Sequence, residues 1–271
     1  MDWGAERRYL LATARALAGA TIFAFPLLMT MEMWWLGFHM DPFRLALFLL
    51  LALPMLAGLS FFSGFEDTFS WRDDVMDALT AFGIGFVASA ALLLLFGVIG
   101  PGQPWPEIIG KIAVQSVPAA IGGVVARRQL GEDCDQESHL RRAGYPGVLF
   151  VMAMGALFLA FNVAPTEEMM LISFRMSPWQ ILGLALLSVL ALHAFVYALG
   201  FTGQAEPPDA PWWRTVLQFS VAGYGIALLV SLYALWTFGR TDGMALMEIV
   251  EATVVLGFPA ALGAATARLV I

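Results

Sequence analysis

An all-α polytopic membrane protein, with about eight transmembrane helices forming two parallel four-helix repeats, is the fold class that three features of this sequence predict. The 271-residue chain is 60% apolar and only 13% charged, against roughly 25% charged in an ordinary soluble domain. Apolar runs of about twenty residues recur along its whole length, each long enough to cross ~30 Å of hydrocarbon at 1.5 Å per residue. The sequence also repeats itself, since an offset of 136 lays Thr30, Glu32 and Met33 on Thr166, Glu168 and Met169.

Eight spans are read at about 9–36, 43–62, 74–98, 107–126, 145–163, 179–201, 214–238 and 247–268. The first is expected to stay in the mature protein, because it is longer than a signal core and lacks a small-residue cleavage site. Asp41-Pro42 and Ser177-Pro178 each put a capping side chain before a proline at the first helical position, and Gln180 completes a capping box with Ser177. Pro101, Pro104 and Pro106 hold the chain out of helix before the fourth span, as Gly239 and Thr241-Asp242-Gly243 do before the eighth.

Duplication decides architecture before any local reading. The offset of 136 also matches Gly19, Ala20, Ala24 and Phe25 to Gly155, Ala156, Ala160 and Phe161; Trp71-Arg72 recurs as Trp213-Arg214. An offset of 141 then pairs Glu107-Ile108, Pro118 and Gly122 with Glu248-Ile249, Pro259 and Gly263. The expected organisation is a first repeat over 1–128, a cytoplasmic linker over 129–144 and a second repeat over 145–271. Four spans per repeat is an even number, so both halves enter the membrane the same way round, as in parallel-repeat transporters whose sites lie between repeats. Small residues let helices approach closely in lipid. Ala16, Ala20 and Ala24, with Ala156 and Ala160, therefore mark either the centre between the halves or packing inside each half.

Cytoplasmic loops are enriched in Lys and Arg. With the N-terminus inside, only Arg44, Lys111, Arg175 and Arg240 of the 14 basic residues fall outside. The expected arrangement is multi-pass, with both termini and the linker carrying Cys134 in the cytoplasm. A net charge of −7 gives no basic footprint for nucleic acid. Cys134 is the only cysteine, which excludes an intrachain disulfide and a cysteine-cluster metal site. Nucleotide loops, Ser/His/Asp spacing and HExxH are absent from the sequence, so it reads as no enzyme, with no cofactor.

Ionisable groups inside a span cost ~2.5–3.5 kcal/mol on insertion scales and usually have a role or a partner. In this topology Glu32, Glu107, Glu167, Glu168 and Glu248 all lie toward the outer side. Facing each other across the repeats, such carboxylates suit a hard cation or a proton shared between two acids. The alternative is interfacial acids: Trp34 and Trp35 resemble an aromatic belt beside Glu32, and Glu107 and Glu248 begin helices, where the dipole favours negative charge. Helix breaks are expected at Pro26, at Asn162 and Pro165, and at Pro118 and Pro259, because proline removes a backbone donor. Discontinuous helices are where transporters bind ions.

Other polar groups read more simply. Lys111 pairs with Glu107 at i,i+4, and Gln115 and Ser116 continue that face inward as a candidate path lining. His193 reads as a hydrogen-bonded core histidine. Met29, Met31, Met33 and Met40 with His39 raise copper handling, since thioethers suit Cu(I), although residues two apart do not share a helix face. The metal, if any, is undetermined from sequence.

At Phe25-Pro-Leu-Leu-Met-Thr-Met-Glu-Met-Trp-Trp35 and Phe161-Asn-Val-Ala-Pro-Thr-Glu-Glu168 the chain resembles a bacterial family of integral membrane proteins of the domain-of-unknown-function kind, over essentially its whole length. That resemblance implies a multispan inner-membrane protein and carries no activity. The first span is also faintly similar to the first helix of lysosomal-type potassium channels, whose Phe-Ser-Asp signature is absent here. Two functions are carried forward: a cation or proton channel or secondary transporter built on Glu32 and Glu168, and a membrane scaffold that binds a partner through its linker. The expected partners are the lipid bilayer and a small cation or proton, with a homo-oligomer left open.

Overall fold

The computed structural model describes residues 3–63, 71–129, 136–198, 213 and 216–270. Among them every regular element is helical, and eight helices are long and apolar enough to cross a membrane. Backbone groups buried in hydrocarbon must be satisfied within the element, which leaves the helix as the economical solution for such a chain. Chain contacts divide the protein into two compact units, Met1–Gln136 and Glu137–Ile271.

The first unit holds α1 (Trp3–Leu28), α2 (Met31–His39), α3 (Pro42–Ser63), α4 (Trp71–Leu95) and α5 (Trp105–Gln129). Here the single span expected over 9–36 is corrected: the helix stops at Leu28 and a second one starts at Met31. At nine residues, α2 extends only ~14 Å at 1.5 Å per residue and is too short to span. Asp41 then caps α3, its Oδ1 accepting from the backbone N–H of Phe43 and Arg44 at 2.9 and 3.1 Å. Helices α1, α2, α3 and α4 all pack on α5, and every residue from Gly110 to Val125 is buried. The outer faces of the surrounding helices carry exposed Ile22, Leu50, Val87 and Leu94, which suits contact with lipid.

In the second unit the order recurs as α6 (Gln136–Val163), α7 (Glu167–Arg175), α8 (Pro178–Ala198), a π-helical turn (Val216–Val221) leading into α9 (Ala222–Thr237), and α10 (Leu246–Val270). Residues 136–143, expected in the linker, are helical, and Gly144 separates them from the span with φ 60° and ψ −156°. Residues 130–135, with Cys134, lie outside the described part. Ser177 N–H donates to Gln180 Oε1 at 2.8 Å, half of the expected capping box. Helices α7, α8 and α9 pack on α10, and α6 meets it where Gly155 and Gly263 face each other so closely that a Cβ on either would collide with the other's carbonyl oxygen.

Gly122 of α5, the repeat counterpart of Gly263, likewise sits against the carbonyl of Gly19 and the Phe23 side chain. Ala16, Ala20 and Ala24 are buried, and Ala16 and Ala20 lie beside Gly123 of α5. The small-residue face of α1 therefore serves packing inside its own unit. Close backbone approach is how helices gain contact where lipid tails remove the hydrophobic incentive to associate.

Candidate functional site

The two units break their first helix at the same repeat position, and the local chemistry of the break is shared. In the first, Thr30 adopts an extended backbone (φ −95°, ψ 128°), while its N–H and hydroxyl both donate to the carbonyl of Leu27, at 3.1 and 2.8 Å. In the second, Thr166 (φ −72°, ψ 141°) directs the same two donors to Val163 O at 3.1 and 2.7 Å. Each threonine thus satisfies one of the orphan carbonyls at a helix end and turns the chain into the next helix. The prolines contribute differently. Pro26 lies inside α1, two residues short of its end, and its counterpart at that repeat position is Asn162, whose Nδ2 donates to Phe158 O at 2.7 Å. Pro165 sits in the break itself. Pro118 and Pro259 lie within α5 and α10, which run through them uninterrupted.

A second partner closes each break, and it differs between units. Trp34 Nε1 donates to Leu28 O at 2.8 Å in the first. Arg240 donates through Nη2 to Pro165 O in the second. The tryptophan pair read as an interfacial belt is therefore split: Trp34 is half-buried against the core of its unit, and Trp35 is exposed and stacked on His39 with centroids 4.6 Å apart.

The carboxylates follow immediately. Glu32 occupies the first turn of α2 and is half-buried, whereas Glu167 and Glu168 occupy the first turn of α7 and are exposed. All three are placed where the helix dipole stabilises negative charge. One face of each short helix is buried, through Met33 and Gly37 of α2 and Met169 and Ser173 of α7, and these positions match at the offset of 136. A Cβ on Gly110 would strike the carbonyl of Gly37, so α2 lies directly over the first turns of α5.

Glu107 and Glu248, equivalent in sequence, are unequal in chemistry. Glu107 Oε1 is 2.5 Å from Lys111 Nζ, which also donates to Val98 O at 3.2 Å and lies 5.5 Å from the Phe38 ring centroid. Lys111 is buried, and the position equivalent to it in α10 is Ala252. Glu248 instead folds back on its own helix start, its Oε2 accepting from Ala245 N–H at 2.8 Å. One acid is neutralised by a buried lysine, and the other caps.

Among the described residues no three of His, Cys, Asp and Glu come together in a way that would hold a metal ion. Met29 and Met31 are exposed while Met33 is buried, so the thioethers diverge around the break. His193 Nδ1 lies 3.0 Å from Ser220 Oγ in the π-helical turn. Sequence reasoning passed over Arg240 and the indole of Trp34 as partners of the breaks. For Arg240 the available signal was a cation following Gly239 at the apolar end of a span, but its partner is 75 residues away.

The family model described as "Putative integral membrane protein (DUF2391)" matches residues 12–271. The chain belongs to this family. That description names a place in the membrane and no activity, and the eight apolar helices agree with it. No match was found among curated proteins or among solved structures.

Proposed function

We propose that this protein moves a small cation or a proton across the bacterial inner membrane, as a channel or secondary transporter, with Glu32 and Glu168 as its working carboxylates. The observation that carries the reading is the interruption of the first span in each unit, at one repeat position, by a short helix with an acid in its first turn. An interrupted helix loses backbone hydrogen bonds that lipid cannot replace; here Thr30, Trp34, Thr166 and Arg240 replace them, and protein-satisfied breaks of this kind are tolerated where they line an enclosed or hydrated cavity. An acid in that setting attracts a cation, and partial dehydration against a carboxylate and backbone oxygens is the chemistry of hard-cation sites. The basic residues support an orientation with both termini in the cytoplasm and the breaks toward the outer side.

Purified protein in liposomes is expected to conduct a proton or alkali-cation flux that falls at least tenfold, by order of magnitude, in the Glu32→Gln/Glu168→Gln variant, because a neutral amide loses the charge that offsets ion dehydration. Undiminished flux in a folded double variant would rule out these carboxylates. A scaffold would show no flux in either protein and would depend on the 129–144 linker instead.

A further inference from the structure

The stripe Glu107, Lys111, Gln115 runs down one face of α5 at i,i+4 spacing. Its first two members satisfy each other, but the third does not share in this. Gln115 is fully buried, and neither its Nε2 nor its Oε1 has a hydrogen-bond partner. A buried polar group left unpaired is destabilising, so a glutamine at this depth calls for a reason. Packing does not supply one: the equivalent residue of α10 is Leu256, also fully buried, and Lys111 is replaced there by Ala252. The fold of the repeat accepts an apolar stripe at these places, and the first unit alone departs from it.

A carboxamide both donates and accepts, and the partner that meets both needs in a helical interior is water, which in proteins occupies buried sites offering two to four polar contacts. Gln115 lies one turn, ~6 Å, deeper along α5 than Lys111. We propose that the first unit contains a hydrated polar pocket along α5, with the Glu107–Lys111 pair at its mouth and Gln115 at its inner end, and that this pocket admits the transported proton. The pocket itself stands on the burial and pairing of these residues; its role in proton entry rests on the transport reading above. The Glu107–Lys111 pair leaves the mouth without net charge, and a chain of waters can pass a proton by hopping where a metal cation would have to shed its hydration shell.

Cysteine accessibility reads the pocket without any flux. In a Cys134→Ser background, Gln115→Cys and Leu256→Cys proteins in liposomes are treated with a small, water-soluble methanethiosulfonate. Reaction needs the thiolate, which forms only where water reaches, so Gln115→Cys is expected to react at least about tenfold faster than Leu256→Cys. Equal, slow reaction at both positions overturns the pocket, whatever the fate of the transport reading. The proton role is read separately with Gln115→Leu, which copies the second unit and should fold. Proton flux reduced several-fold supports the role. Full flux in Gln115→Leu, with Gln115→Cys reactive and Glu32→Gln/Glu168→Gln inactive, overturns the proton role and leaves the transport reading intact.

Discussion

Thr30 and Thr166 are what the two breaks have in common at the level of single residues, since proline, tryptophan and arginine occupy different places in each. Their hydroxyls donate to the Leu27 and Val163 carbonyls in the last turns of α1 and α6 at 2.8 and 2.7 Å. Replacing either by Ala is expected to cost roughly 1 kcal/mol, the net value of a typical intramolecular hydrogen bond, read as a lower unfolding temperature in detergent, with Ser at the same position restoring most of it. The ion pair between buried Lys111 and half-buried Glu107 gives a sharper test. Lys111→Met strands the Glu107 carboxylate and should destabilise the protein by roughly 1–3 kcal/mol. Glu107→Gln/Lys111→Met should recover most of that loss, a coupling that a double-mutant cycle measures. The acids and the Glu107–Lys111 pairing were legible in the sequence because repetition and i,i+4 spacing are local signals. The partners of the breaks were not, since Arg240 reaches Pro165 only through the folded unit.

Elements explain why the first break was expected at Pro26, inside a single span, whereas α1 runs on to Leu28 and the chain turns at Thr30. Residues 9–36 carry only Arg15 and Glu32 as charged groups, and hydropathy does not see a threonine turning the chain, so the run read as one span. Asn162-Val-Ala-Pro165 announces its break in sequence, because the residue before a proline is driven out of the helical region. The spans themselves were readable, since length and apolarity are what the bilayer requires of them. The contact that holds α6 to α10 is equally specific: Gly155 and Gly263 leave no room for a Cβ. Gly263→Leu is expected to force the helices apart and cost at least ~1–3 kcal/mol of stability, as overpacking does, seen as aggregation or a lowered unfolding temperature on size-exclusion analysis. Leu at the open position Gly183, where a Cβ meets nothing, should leave the protein folded.

At the scale of the whole molecule, the matching element order of the two units is what turns a set of isolated acids into a functional proposal. Helices α2 and α7, α3 and α8, and α5 and α10 begin at the same repeat positions, and each unit presents a break followed by a carboxylate. Orientation decides which side of the membrane those carboxylates serve. Cys134, the only cysteine, is expected to resist an impermeant thiol reagent applied to intact cells and to react once the membrane is opened, in keeping with the basic residues of the cytoplasmic side. Ions are proposed to cross this protein by way of Glu32 and Glu168. Flux through liposomes containing the wild type and the Glu32→Gln/Glu168→Gln variant, at matched protein content, tests that route most directly. A proton or cation current is expected in the first and its loss in the second; equal currents, or none in the wild type, would contradict passage by this route.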